Sequence, residues 1–162
     1  MVTKRQFREE GHRRKFLAVV DDTPECLRAV QYAARRAGAI GNGLELVNVI
    51  VPGDFGHWLG VEEIMRAEAR EAAENRLAEA AELASSSCAV EVTTSIREGE
   101  RVAEIVRLID EDRDIAIMVL AAGDAAEGPG PLVSSVTNKA AFPIPVTIVP
   151  AALSDEEIDD LV

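Results

Sequence analysis

Short apolar runs alternate with helix-patterned segments along most of the chain. Residues 15–21 (KFLAVVD), 44–51 (LELVNVIV) and 114–123 (DIAIMVLAAG) are continuous apolar runs, which predict strands buried on both faces of a parallel sheet. Residues 89–96 (AVEVTTSI) alternate apolar and polar positions, which predicts an edge strand with one wetter face. The apolar residues 144–149 (IPVTIV) predict a last strand, flanked by prolines as in an edge strand.

The segments between these strands carry the spacing of helices. Thr23 is expected to be the N-cap and Pro24 the first residue of a helix that ends at a pair of glycines. Residues 61–87 are rich in Ala, Glu and Arg and predict a long amphipathic helix. Residues 99–112 predict a third helix, and residues 134–141 (SSVTNKAA) predict a short fourth one.

This order of elements predicts an α/β fold, in which a five-stranded, mostly parallel, Rossmann-like sheet carries helices on both faces. A chain of 162 residues, 48% of them hydrophobic, suffices for one domain with a sizeable core. Such sheets bind ligands at the carboxyl ends of their strands, near the switch in strand order. The turn Asp21–Asp22–Thr23 and the loop that begins at Gly123 are therefore the candidate ligand-binding stretches.

Charge limits the partners that this chain is expected to have. The net charge of −12 disfavours binding to nucleic acid and to anionic membrane surfaces. No apolar run approaches the length of a membrane span, and the first residues lack the apolar core of a signal peptide, so we expect a cytoplasmic protein. Residues 1–15 are a basic tail and residues 151–162 an acidic one. The two tails are expected to be solvated, or else to attract each other, and the helix predicted by the capping box of Ser154 and Glu157 is expected to fray.

The residue types needed for catalysis are not arranged in any recognisable pattern. His12 and His57 belong to no Ser/His/Asp or Cys/His sequence arrangement, so we expect a protein without enzymatic activity. Cys26 and Cys88 lack metal-ligand spacing and are expected to be reduced thiols. Cys26 is expected to be a buried small side chain, the alternative being a reactive thiol with a lowered pKa. The single tryptophan, Trp58, is expected to pin the long helix to the sheet, or to cover the crevice as a lid.

Three stretches resemble the universal stress proteins. These are residues 19–30 (VVDDTPECLRAV), residues 119–123 (VLAAG) and residues 134–150 (SSVTNKAAFPIPVTIVP), and the likeness in element order and length covers a domain from 16 to 150. The resemblance implies a role in the stress response. It also implies a homodimer in which the last strand, with Val146 and Ile148, pairs with its copy.

In the nucleotide-binding branch of that family, a loop of the form Gly-x-x-Gly, nine residues, then Gly-Ser or Gly-Thr holds ATP. Gly123 matches the first glycine, but Ala126 stands at the second and Ser134 stands before the closing serine. The resemblance assigns Asp21 to the nucleoside and Val49 to the adenine pocket. The implied nucleotide-binding residues are Asp21, Val49, Gly123, Ala126, Ser134, Ser135 and Val136.

The composition of the loop argues against tight binding of a triphosphate. Pro129 and Pro131 lack the N–H groups with which a phosphate loop holds its anion. No Lys or Arg occurs between Asp114 and Asn138, so ATP would be repelled unless Mg²⁺ intervened. The hydroxyls and amides of a helix start at Ser134 could still hold one anion.

We therefore predict a degenerate nucleotide loop with weak or absent ATP binding, in a signalling or protective protein. One alternative is an ATP/ADP-binding switch of the same family. The other is a small α/β enzyme or a flavin carrier.

Overall fold

Five strands and five helices alternate in the computed structural model, which describes residues 3–54, 60–123, 128–138 and 142–162. The strands are β1 (Lys15–Val19), β2 (Gly43–Ile50), β3 (Val92–Glu98), β4 (Ile115–Ala122) and β5 (Val146–Pro150). The helices are α1 (Cys26–Ala39), α2 (Val61–Ser87), α3 (Arg101–Glu111), α4 (Pro131–Asn138) and α5 (Asp155–Leu161), with a 3₁₀ turn at Pro52–Asp54.

All five strands are parallel, in the order β3-β2-β1-β4-β5. This arrangement confirms the predicted α/β class and the edge positions of β3 and β5. Strand β1 pairs with β2 on one side, through Val19 and Val47, and with β4 on the other, through Ala18 and Val119. Strands β2 and β3 are thus added on one side of β1, and strands β4 and β5 on the other. In such folds the carboxyl ends of the strands at this switch point, here β1, β2 and β4, border the ligand-binding crevice.

Alternate residues of the central strands supply two apolar cores. Ala18 and Leu46 point to one face, where they pack against the alanine-rich sides of α1 and α2. Leu17 and Val47 point to the other face, against α3 and α4. The two cores explain why β1, β2 and β4 form continuous apolar runs, since both faces of these strands are covered.

Three helices begin at residues other than the predicted ones. Helix α3 begins at Arg101, two residues after the predicted start at Gly99. Helix α1 begins at Cys26 with Glu25 as its N-cap, so the prediction of Thr23 as N-cap was wrong. The Thr23 amide and hydroxyl donate to the Asp21 carboxylate instead. Helix α4 begins at Pro131, three residues before the predicted start at Ser134, because a proline, which has no N–H, fits the first turn of a helix.

The basic tail is exposed along much of its length but is not a free tail, since it is attached to the end of α3 and the start of β4. Its Gln6 amide donates to the Arg113 carbonyl at 2.9 Å. The Arg5 guanidinium donates to the carbonyls of Ile109 and Ile115 at 2.7 and 3.0 Å. These bonds attach the tail at the amino edge of the sheet, where β4 starts.

The acidic tail is not frayed either, because α5 packs on α1. The capping box of Ser154 and Glu157 is present as predicted, and Ile158 is fully buried. Asp155 forms an ion pair with Arg28 of α1, and the Arg35 guanidinium lies 3.0 Å from Asp159. The acidic tail therefore forms these ion pairs with arginines of α1 rather than with the basic tail.

Candidate functional site

Asp21 stands at the centre of the carboxyl edge, in the turn between β1 and α1. Its Oδ1 accepts hydrogen bonds from the amide and the hydroxyl of Thr23, the first at 2.9 Å. Its Oδ2 makes no hydrogen bond with the described residues and the side chain is partly exposed. The turn thus fixes a carboxylate whose second oxygen can accept a hydrogen bond from a ligand.

A cavity of about 270 Å³ lies on one side of Asp21, between the ends of β1 and β2 and the helices α2 and α3. Its volume is just below the range of about 300–1,000 Å³ that is usual for small-molecule sites. Asp21 and Val49, the two residues that the resemblance assigns to a nucleoside, both line it. We call it the nucleoside cavity after that implied ligand; its lining is Asp21, Asp22, Asn48, Val49, Ile50, Val51, Ala69, Ala72, Arg76 and Arg101.

Asn48 supports the floor of this cavity. The side chain is buried, and its Nδ2 donates to the Val20 carbonyl at 2.8 Å just beyond the end of β1. The Val20 amide donates to Val47 of β2, also at 2.8 Å. Asn48 therefore holds the two strand ends at a fixed separation, a role that the sequence signals only by one amide inside the apolar run 44–51.

Two arginines in the wall of the nucleoside cavity were missed by the sequence analysis. Arg76 lies on α2, and Arg101 is the first residue of α3. Neither forms an ion pair with the described residues. The cavity therefore combines two carboxylates, two guanidinium groups and an apolar floor.

The other side of Asp21, between the ends of β1 and β4, is nearly closed. The cavity there measures about 30 Å³, which is room for about one water molecule. Glu25, Pro129, Pro131 and Leu132 are among the residues that surround it. We call it the narrow cavity.

Gly123 lies beside Glu25, one of the residues around the narrow cavity. A Cβ atom at this position would lie 2.7 Å from the Gly128 carbonyl oxygen and 3.0 Å from Glu25 Oε1. Its amide donates to the Pro129 carbonyl at 3.4 Å, the long end of the hydrogen-bond range. Only glycine fits this approach of the loop to its own far end. The packing of the loop therefore requires glycine at position 123, whether or not a phosphate binds there.

Ser134 and Ser135 lie within α4 rather than at its start. The Ser134 amide and hydroxyl bond to the Gly130 carbonyl at 3.0 and 2.9 Å, and the Ser135 hydroxyl donates to Pro131 at 2.9 Å. The prediction that Ser134 begins the helix was therefore wrong, and its amide is not one of the free groups of the first turn. Val136 packs against the second core, and Ala126 lies outside the described residues.

The remaining candidates for chemistry are dispersed. Cys26 and Cys88 are both free thiols, and burial raises the pKa of Cys26 to about 11, which supports an inert buried thiol rather than a reactive one. His12 pairs with Asp114 at 3.0 Å on the amino edge. His57 and Trp58 lie outside the described residues. The described part of the chain contains no group of three or more metal-ligating side chains.

Hydropathy of the helices bears on membranes. Among residues 3–54, 60–123, 128–138 and 142–162, no helix has both the length and the apolar character needed to cross a bilayer.

Comparison with known proteins supports the fold described above. UspA from Lactobacillus plantarum superposes with a TM-score of 0.70 at 19% identity, over 84% of this chain and 97% of that one. The universal stress protein of Archaeoglobus fulgidus in complex with dAMP superposes with a TM-score of 0.59 at 20% identity, over 85% of this chain and 98% of that one. A universal stress protein in complex with cAMP superposes with a TM-score of 0.60 at 21% identity, over 86% of this chain and 98% of that one. No curated protein matches the sequence. The sequence model of the universal stress protein family matches residues 12–150, and the chain belongs to that family.

Proposed function

We propose that this protein acts in the stress response as a non-catalytic, cytoplasmic homodimer that binds an adenine nucleoside or mononucleotide weakly and does not bind ATP tightly. The observation that carries the proposal is the contrast across Asp21, with about 270 Å³ on one side and about 30 Å³ on the other. A nucleoside fits the first space. A phosphate chain has no room in the second.

The nucleoside part of the proposal rests on Asp21 and Val49. Asp21 keeps one carboxylate oxygen for a ribose hydroxyl, while Val49 contributes an apolar wall for a base. Two relatives of the same fold bind dAMP and cAMP. Both ligands are adenine mononucleotides, which agrees with a site that accepts a nucleoside and little more.

The absence of tight ATP binding rests on charge and geometry at the narrow cavity. The Glu25 carboxylate faces Gly123, where the phosphate loop of the family begins, and would repel a polyphosphate. The Ser134 amide and the hydroxyls of Ser134 and Ser135 are bonded to carbonyls of their own helix. Mg²⁺ would have to offset the repulsion before ATP could enter.

The proposed homodimer rests on β5 as an edge strand. Ile148 keeps 39% of its surface exposed, which is unusual for an isoleucine in a strand, and Val146 is half-buried. Pairing of β5 with its copy would cover both. Sedimentation of the protein and of its Ile148→Lys variant tests this, and a monomeric parent protein would contradict it.

Calorimetric titration with adenosine, AMP and MgATP tests ligand binding. We expect adenosine to bind with a Kd of about 0.1–1 mM and MgATP to bind no tighter than AMP. Ala69→Leu should abolish adenosine binding, because the larger side chain fills the nucleoside cavity from α2. Submicromolar MgATP binding would contradict the proposal and favour an ATP-dependent switch.

A further inference from the structure

We infer that Arg76 and Arg101 form an anion subsite that takes the single phosphate of a nucleoside monophosphate bound in the nucleoside cavity. This inference rests on the proposed function, since it assumes that a nucleoside occupies that cavity. In this arrangement two guanidinium groups, on the other side of Asp21 from the glycine loop, hold the phosphate in place of that loop.

Arg101 is positioned where two cavities meet. It lines the nucleoside cavity and also a second cavity of about 370 Å³, whose walls include Val51, Val102 and the first turn of α4. A ligand whose base and sugar fill the first cavity can extend its charged group toward the second. Arg101 is the cation that such a group would meet, with Arg76 on the neighbouring helix.

The lack of acidic partners distinguishes these two arginines from the others on the same helices. Arg66 lies 3.2 Å from Glu98, Arg70 lies 3.5 Å from Glu74, and Arg107 pairs with Glu104. Within the described residues, Arg76 and Arg101 have no such partner, although the chain has 29 acidic and 17 basic residues. In a protein so rich in carboxylates, cations in a cavity wall without an ion pair remain available to a ligand anion.

Glu100 is the carboxylate next to Arg101 in the sequence, and it also lines the second cavity. Its oxygens accept hydrogen bonds from the amides of Val102 and Ala103 at 3.1 and 2.8 Å, and so cap α3. The capping geometry turns the carboxylate toward the helix amides. These hydrogen bonds chiefly, and the nearby charge of Arg101 to a smaller extent, lower the pKa of Glu100, but the two side chains form no ion pair. The guanidinium therefore keeps its donors for a phosphate, which it can bind through two parallel hydrogen bonds.

The charges around the cavity select a short anion. Two guanidinium groups can neutralise one phosphate, whereas Asp21 and Asp22 occupy the same cavity and repel any further charge. A second or third phosphate would have to pass these carboxylates or leave the cavity. The subsite thus fits a monophosphate or a cyclic monophosphate better than a di- or triphosphate.

Titration of the parent protein and three variants with adenosine and with AMP tests the subsite. We expect AMP to bind about tenfold tighter than adenosine to the parent. Arg101→Gln should bring the ratio of the AMP and adenosine affinities close to one, and Arg76→Gln should lower that ratio. Arg36→Gln is the matched control and should change neither affinity, because Arg36 is an exposed arginine in the last turn of α1 and lines neither cavity.

Three results separate the possible failures. If AMP binds the parent no tighter than adenosine, or if Arg101→Gln keeps the advantage of AMP, the subsite is wrong and the nucleoside cavity stands. If adenosine itself does not bind, the proposed nucleoside site is wrong and the subsite with it. Thermal unfolding of each variant, compared with the parent, establishes that a lost affinity does not come from a lost fold.

Discussion

The two sides of Asp21 differ although they belong to one edge of one sheet. On the β2 side, α2 presents Ala69 and Ala72, whose small side chains leave a cavity of about 270 Å³. On the β4 side, Glu25 at the N-cap of α1 and Leu132 of α4 fill the corresponding space and leave about 30 Å³. The topology provides a crevice on both sides of β1. The size and charge of a few side chains decide which side stays open.

Removing the packing of Leu132 should have the largest effect on this contrast. Leu132 is 6% exposed and belongs to the second core, so Leu132→Ala should lower the free energy of unfolding by about 2–5 kcal/mol. Urea unfolding measures the loss, with Leu161→Ala as the control because Leu161 is 58% exposed. A loss below about 1 kcal/mol would mean that the narrow side is not closed by tight packing.

Gly123→Ala tests the close approach of the loop. A Cβ at 2.7 Å from a backbone carbonyl oxygen forces the loop apart, and we expect a cost of about 1–3 kcal/mol in the free energy of unfolding. Gly53→Ala is the matched control, since a Cβ at Gly53 meets nothing within 4 Å. Equal stability of the two variants would show that the loop ends do not touch as described.

Glu25→Gln tests the electrostatic part of the contrast. The substitution keeps the shape of the side chain and removes the negative charge beside Gly123, so MgATP should bind up to about tenfold tighter, equivalent to about 1.4 kcal/mol. Adenosine should bind as before, because Glu25 lines the narrow cavity and not the nucleoside cavity. Glu63→Gln, in the first turn of α2, is the control. An unchanged affinity for MgATP would mean that the small volume of the narrow cavity, and not the charge of Glu25, prevents tight binding.

Glu100→Ala should have the smallest effect, on the open side. Hydrogen bonds from the Ala103 and Val102 amides lower the pKa of Glu100 below its ordinary 4.5, so the cap stabilises the folded protein above pH 4.5 and is lost as the pH falls through the lower folded value. We expect Glu100→Ala to cost about 0.5–1 kcal/mol at pH 7. Urea unfolding at pH 7, 4.5 and 3 measures the free energy of unfolding of both proteins. The difference between the variant and the parent should be smallest at pH 3.

The fold was predictable because its signals are local and repeated. The apolar runs at β1, β2 and β4 are long enough to require cover on both faces, and α2 was predicted with its observed bounds, 61–87. The start of α4 was missed because Pro131 resembles a loop residue in the sequence, yet it also fits the first turn of a helix. The docked tails were missed because their attachment depends on carbonyls and arginines of distant elements, such as Ile109 and Arg35.

The site was predictable only where a turn or a strand determines it. Asp21 and Val49 follow from the resemblance and lie together in the nucleoside cavity. Arg76 and Arg101 were not predictable, because in the sequence they look like any charged residue on an exposed helix face. Only the tertiary structure reveals that, among the residues it describes, these two form no ion pair of the kind that neighbouring arginines have.

The docking of α5 on α1 has a practical consequence for handling the protein. From Asp155 beside Arg28 to Asp159 beside Arg35, α5 runs along α1 away from the carboxyl edge, and the tail around Arg5 is bound at the opposite, amino edge. Affinity handles fused beside either segment, or coupling of the protein to a sensor surface through such handles, should therefore leave the carboxyl edge and its candidate site unobstructed.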